Sequence, residues 1–196
     1  MTRVLVVCTG NVCRSPAAER LLAARLPVAA GVTVASVGTA ALVGRAVDPQ
    51  VAELLRLAGA DATGFAARQL HADHVRAADL VLVMERSHRA AVVAADPAAV
   101  RRTFLLAELG VIASLVAAAG WPADVPADPA ARLTALPQLA GRHRPQVTRA
   151  GAAEVVDPFR QSPDVHRSTF ATVANRVDEI VAAVTQRTGE RRLPIG

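Results

Sequence analysis

Apolar positions recur along this chain in two rhythms. Residues 3–7, Arg-Val-Leu-Val-Val, form the short β-branched run of a strand buried on both faces, and the run stops at Cys8. The turn formers Gly10 and Asn11 follow. Ser15-Pro16 then reads as a helix N-cap with proline at the first helical position. A helix is predicted over Pro16 to Leu26, with Ala18, Leu21 and Leu22 on one face. Val32 to Val37 is a second strand, closed by Gly38. Asp48-Pro49 caps a helix reaching Ala58, whose Val51, Leu54, Leu55 and Ala58 share a face, and Gly59 ends it. Leu80 to Met84 is the clearest central strand and is followed by a helix from Ser87 to Ala95. Thr103 to Leu106 is a fourth strand. Ser162-Pro163 opens a last helix to about Arg187, with Phe170, Val173, Val177, Ile180, Val181 and Val184 at helical spacing.

Strands alternating with helices predict an α/β fold, a parallel sheet covered on both faces. Residues 107–150 break that alternation. An Ala/Val/Leu stretch runs to Ala119, Trp121-Pro122 and further prolines follow, and Arg142-His143-Arg144-Pro145 is basic. Two short helices joined by irregular chain are expected there, with Trp121 packing locally. The whole chain, residues 1–196, is expected to be one domain carrying this insertion and a loose tail at 189–196.

Composition narrows the function classes. At about 150 residues per domain, 196 residues make one domain, and 52% hydrophobic residues supply a core. The net charge is +5 and every basic residue is arginine, but the arginines are scattered, so no nucleic-acid partner is expected. No apolar run approaches the roughly 18 residues of a membrane span, and the N-terminus lacks the form of a signal peptide. A reducing cytoplasm is the expected setting. Cys8 and Cys13 are too few for a disulfide framework, and no Cys or His pair beside them completes a zinc site. His71, His74, His88, His143 and His166 show no ligand spacing and read as surface residues.

The strongest chemical signal is Cys8-Thr9-Gly10-Asn11-Val12-Cys13-Arg14-Ser15-Pro16. A cysteine ends a strand and an arginine six residues later stands at a helix start. Such a loop can turn its N–H groups inward as an anion nest, reinforced by the helix dipole. Arg14 adds a bidentate fork for two phosphate oxygens, and the same positive field favours a thiolate at the base of the loop. One loop would then bind an oxyanion and aim a nucleophile at it.

These residues resemble the phosphate-binding loop of the low-molecular-weight protein tyrosine phosphatases. The resemblance continues through Ser36-Val37-Gly38-Thr39, Ala67-Arg68-Gln69-Leu70, Ala78-Asp79-Leu80 and Asp157-Pro158-Phe159. It covers about residues 1–106 and 154–187. It implies the sheet order 2-1-3-4, and a reaction through a phosphocysteine on Cys8 with a phosphotyrosine-bearing protein as substrate. Arg14 and the amides of Thr9, Gly10, Asn11, Val12, Cys13 and Ser15 would hold the phosphate. The Ser15 hydroxyl would bond the thiolate, and Asn11 would hold the loop's shape. No metal or other cofactor is implied, because arginine and backbone N–H groups carry the electrostatics. Cys13 is a space filler or, as in family members with this second cysteine, a redox guard for Cys8.

The reaction also needs a carboxylic acid to protonate the leaving group. Asp-Pro occurs at Asp48, Asp96, Asp128 and Asp157. Asp48 and Asp128 precede helical runs and read as caps, and Asp96 falls near a helix end. Asp157 has no capping duty, because Ser162 caps the helix that follows, and it matches the family's Asp-Pro-aromatic. It is assigned as the general acid. The rim departs from the family: Ala40 to Gly44 holds no aromatic, and Arg160 stands where a second aromatic is common. Leu42, Phe159 and Arg160 are the expected substrate rim. Three other readings compete. Phosphoarginine phosphatases resemble this loop but carry threonine at the place of Val12. Thioredoxin-coupled arsenate reductases need more cysteines than Cys13, although small-thiol forms remain open. A non-catalytic phosphate-binding module would not need Cys8, Arg14 and Asp157 together.

Overall fold

Alternate side chains of the first strand divide the core in two. In the computed structural model, which describes residues 1–150 and 154–186, β1 spans Thr2–Cys8. Its Val4, Val6 and Cys8 enter one apolar cluster, and its Leu5 and Val7 enter the other. The strand β3 (Leu80–Val83) behaves alike, with Leu80 and Leu82 on the first side and Val81 and Val83 on the second. Strands buried on both faces read as unbroken apolar runs, as these do. β2 (Val32–Gly38) and β3 flank β1, and β4 (Thr103–Leu105) lies outside β3. All pairings are parallel and the order is β2-β1-β3-β4. The chain order reverses at β1, which opens a crevice at the carboxyl end of that strand.

Helices cover both faces. On the first lie α1 (Arg14–Arg25), α2 (Pro49–Leu57), α5 (Leu106–Ala119) and α7 (Pro163–Thr185), which bury Leu21, Leu55, Ile112 and Val177. On the second, α3 (Ala72–Arg76) buries Val75, α4 (Arg86–Ala95) buries Val92, and a 3-10 turn at Pro97–Arg102 buries Ala99. The five-residue α3 is too short to leave a periodic signature and escapes the sequence reading. Among the described residues, no helix is long and apolar enough to cross a membrane.

Residues 107–150 differ from the short helices expected. α5 starts directly after β4 and runs 14 residues, and α6 (Pro129–Ala150) runs 22. α6 continues through Pro137, whose ring nitrogen offers no donor to the preceding turn. Its Leu133, Leu136 and Ala140 are buried in the same cluster as Val4, and that burial holds the helix in place. Asp128 caps it by accepting from the Ala131 N–H at 2.9 Å. Trp121 also reaches beyond the segment. Its ring lies under the Arg132 guanidinium at 4.9 Å, and its N–H donates to the Ala183 carbonyl of α7 at 3.2 Å. The tail expected at 189–196 lies outside the described residues.

Candidate active site

The loop after β1 owes its shape to where its carbonyls go. Those of Cys8, Thr9, Gly10 and Val12 accept from the N–H groups of Thr39, Ala40, Leu42 and Asp48, at 2.9, 3.0, 3.0 and 2.8 Å. Tied outward in this way, the carbonyls leave the opposite side of the loop to its amides. The N–H groups of Gly10, Val12 and Cys13 have no acceptor among the described residues. Together with the first turn of α1 they make an anion-binding concavity. Gly38 permits this close approach, since a Cβ there would lie 2.4 Å from the Thr9 carbonyl oxygen.

Asn11 pins the turn. Its φ of 54° lies in the left-handed region that side-chain-bearing residues seldom adopt. The side chain compensates fully: its amide donates to Ser15 Oγ at 2.9 Å and Ser36 Oγ at 2.8 Å, and its oxygen accepts from the Arg68 N–H at 2.8 Å. Ser36 passes its own hydrogen to Glu19 at 2.5 Å. Burial pushes the Glu19 carboxyl up, although the Ser36 hydroxyl opposes the shift.

The Cys8 sulfur sits at the centre of this network. It is 2.9 Å from Ser15 Oγ, and it accepts from the Asn11 N–H at 3.3 Å. Asn11 donates to the Ser15 oxygen, and the Ser15 hydrogen has two acceptors, the sulfur at 2.9 Å and the more distant Val37 carbonyl at 3.5 Å, of which the nearer sulfur is favoured. Two donors on one buried sulfur suit a thiolate. Ser15 does not cap α1, contrary to the sequence expectation. The helix starts two residues earlier than expected, at Arg14, with Cys13 at the cap position and no side-chain cap bond. Commitment to Asn11 and Cys8 is what takes the Ser15 hydroxyl away from capping.

Arg14 is buried, yet its guanidinium is crowded with acceptors. Nη1 bonds Glu85 and donates to the Val155 carbonyl at 2.9 Å, and Nη2 lies 2.7 Å from Asp157 Oδ2. Its Nε is buried with no hydrogen-bond partner among the described residues. Glu85 escaped the sequence reading. Burial pushes its carboxyl up, but the Arg14 hydrogen bond and charge outweigh this and hold it below the usual carboxylate range.

His88 was expected on the surface and is instead buried against the loop. Its Nδ1 accepts from the Glu85 N–H at 3.1 Å, so the hydrogen on Nε2 donates to Thr9 Oγ1 at 2.9 Å. Burial, with the Arg14 charge behind it, lowers its pKa despite nearby carboxylates. No motif announces this contact. It arises because Val7 pairs with Val83 in the sheet, which brings the ends of β1 and β3 side by side.

A cleft of about 430 Å³ opens over the loop, lined by Cys8, Thr9, Gly10, Val12, Cys13, Arg14, Ala40, Leu42, Asp157 and Phe159. Asn11 and Ser15 lie off its wall, fully buried beneath it. Leu42 and Phe159 both line the cleft and remain over a third exposed. Arg160 does not line the cleft as expected. Its backbone turns left-handed at φ 61°, and its guanidinium stacks 5.2 Å from the Phe159 ring centre. The remaining Asp-Pro aspartates are occupied elsewhere: Asp48 caps α2, and Asp96 accepts from the Ala98 N–H and pairs with Arg102.

Both cysteines are free thiols. Burial pushes the Cys13 thiol up to about 12, assisted by the charges of Asp48, Cys8 and Asp157 and opposed by Arg14. His166, also expected on the surface, is buried next to Cys13 in the wall of a second, smaller cavity.

A sequence model described as low molecular weight phosphotyrosine protein phosphatase matches residues 3–110. The low molecular weight protein-tyrosine-phosphatase Etp of Escherichia coli K12 is 44% identical over 105 residues, covering 54% of this chain and 69% of that one. Among solved structures, the Erwinia amylovora tyrosine phosphatase AmsI superposes with a TM-score of 0.66 at 28% identity, covering 94% of each chain. Vibrio vulnificus Wzb in complex with benzylphosphonate gives 0.64 at 26% identity, covering 90% of this chain and 94% of the other. The sequence-model match stops short of Asp157 and Phe159.

Proposed function

The chain belongs to the low molecular weight phosphotyrosine protein phosphatase family, and we propose that it hydrolyses phosphotyrosine on a protein through a phosphocysteine on Cys8. One observation carries this reading. A sulfur held by Ser15 and Asn11 shares a cleft with loop N–H groups and a buried arginine Nε that are unpaired among the described residues, and with Asp157.

The Cys8 thiolate attacks phosphorus, forming an S–P bond as the P–O bond to the phenolic oxygen breaks. Asp157 gives its proton to that oxygen. A water then attacks the phosphocysteine while Asp157 takes one of its protons, and phosphate leaves as the thiolate is restored. The loop amides and Arg14 Nε hold the equatorial oxygens, with charge stabilisation built in before substrate arrives. Glu85 and the Val155 carbonyl fix the guanidinium plane, and His88 steadies the loop through Thr9. Leu42 and Phe159 offer two apolar walls to an aromatic ring. A free-thiol nucleophile suits a reducing, cytoplasmic setting.

Phosphate release from p-nitrophenyl phosphate and phosphotyrosine peptides, measured beside thiol-coupled arsenate reduction, tests the reading. Release that disappears in Cys8→Ser, without arsenate turnover, supports it. Arsenate reduction without aryl phosphatase activity replaces it with an oxidoreductase built on the same loop.

A further inference from the structure

Behind the phosphate-binding loop, three donor side chains from three separate elements converge. Cys13 stands at the start of α1, Asp48 at the cap of α2 and His166 on the first turns of α7. One ligand atom from each lies within 4.8 Å of the other two. Cys13 and His166 are almost fully buried and Asp48 is partly so. Phosphate hydrolysis as described gives none of the three a chemical task.

The state of His166 is the telling feature. Its Nδ1 lies 3.1 Å from the Ser162 carbonyl, which can only accept, so the ring hydrogen is on Nδ1. Nε2 then carries a lone pair, and it is buried with no hydrogen-bond partner among the described residues. A carbonyl fixing the tautomer from behind is the usual support of a metal-binding imidazole. Asp48 Oδ1 lies 3.6 Å from Nε2, too far for a hydrogen bond but close to the separation of two donors on one ion. Bond lengths of about 2.3 Å to sulfur and about 2.0 Å to nitrogen and oxygen place tetrahedral donors roughly 3.3–3.5 Å apart. The His166–Asp48 pair at 3.6 Å is therefore nearly in place, and the sulfur, within 4.8 Å, closes by at most about 1.3 Å.

We propose that Cys13, Asp48 and His166 form a binding site for a divalent cation of borderline softness, zinc above all. Mixed sulfur, nitrogen and oxygen donors select such an ion over magnesium or calcium, which take oxygen. Binding forms three bonds to the metal and releases the Cys13 thiol proton to solvent, with water as the fourth ligand. The ion ties together the start of α1, the cap of α2 and the helix that follows the Asp157 loop. It thereby clamps the nucleophile loop against the acid loop from behind.

The test uses the full chain carrying Cys8→Ser, so that the cleft thiol cannot bind metal. Co²⁺ is added as a spectroscopic probe and Zn²⁺ is titrated in competition. The expected result is a sulfur-to-cobalt charge-transfer band saturating at one ion per chain and displaced by Zn²⁺. Adding Cys13→Ser abolishes the band. His166→Asn keeps a donor for the Ser162 carbonyl but lacks Nε2, and it weakens Zn²⁺ binding at least about 100-fold. Asp48→Asn keeps the helix cap and weakens binding as well. A missing band in Cys8→Ser overturns the proposal without reference to any further variant. A band that survives Cys13→Ser, or Zn²⁺ affinity unchanged by His166→Asn, also overturns it.

Discussion

The Asp157 carboxylate lies 2.7 Å from Arg14 Nη2, so the proposed acid rests on the proposed phosphate-binding arginine. A phosphate entering the loop competes with Asp157 for that guanidinium and frees the carboxyl to face the leaving group. Removing the carboxylate therefore has two effects of opposite sign. Asp157→Ala is expected to slow turnover of a poor leaving group such as phenyl phosphate by about 10²–10⁴. Turnover of p-nitrophenyl phosphate should fall less, and inhibition by inorganic phosphate should tighten. Equal slowing on both substrates would remove Asp157 from the acid role.

Asn11 supports the loop through three side-chain hydrogen bonds while holding a left-handed backbone. Asn11→Ala loses the bonds and keeps the strain, at a cost of about 3 kcal/mol if each bond contributes about 1. Asn11→Gly loses the same bonds but relieves the strain. Both should lower kcat and thermal stability, the alanine variant more than the glycine variant by the roughly 1–2 kcal/mol that a left-handed backbone costs a residue with a Cβ. Wild-type kcat in the glycine variant would show that φ alone matters at this position.

What the sequence reveals here is what the local backbone dictates. The run at residues 3–7, the Gly10-Asn11 turn and the helix that follows lie close along the chain, so the strand-loop-helix and Cys8 with Arg14 are legible directly, although the helix begins at Arg14 and not at Pro16. Glu85 and His88 are not, because their contacts with Arg14 and Thr9 depend on β3 lying beside β1. His166 meets Cys13 only because α7 packs back on α1, and no spacing along the chain encodes that. Ser15 misleads because a hydroxyl before proline looks like a cap, whereas a tertiary partner claims it. The prolines of α6 mislead for a related reason, since buried Leu133 and Leu136 override the local break.

That burial carries a prediction of its own. Leu136 is fully buried in the main core although it lies in a segment that reads as an insertion. Leu136→Ala should destabilise the fold by about 2–5 kcal/mol, read as a lowered midpoint in urea. A change below about 0.5 kcal/mol, the range of surface substitutions, would mean that α6 is a detachable appendage.

His88 gives the site a pH-dependent component of stability. Its pKa in the fold is lowered from 6.5 by burial. Between the lowered value and 6.5 the unfolded chain binds more protons than the folded one, so stability rises with pH across that window. The contribution is complete above 6.5 and is lost as the pH falls below it. His88→Gln keeps a donor for Thr9 and does not titrate. The stability advantage of the wild type over His88→Gln, measured in urea, should shrink between about pH 7.5 and pH 5. A constant or growing difference would contradict the buried neutral imidazole.

The two thiols, five residues apart, should differ sharply toward electrophiles. With its pKa pushed up to about 12, Cys13 at pH 7.5 is thiolate in roughly one molecule in thirty thousand. Cys8 lines the open cleft with two donors on its sulfur and an anion cradle around it. Iodoacetate carries a negative charge that the cradle attracts. Brief treatment should therefore place one carboxymethyl group on each chain, at Cys8, and inorganic phosphate should block it. The Cys8→Ser protein should take up no label until it is unfolded. Native-state labelling of Cys13, read by peptide mass spectrometry, would mean that its thiol is neither as buried nor as fully protonated as the packing around it requires.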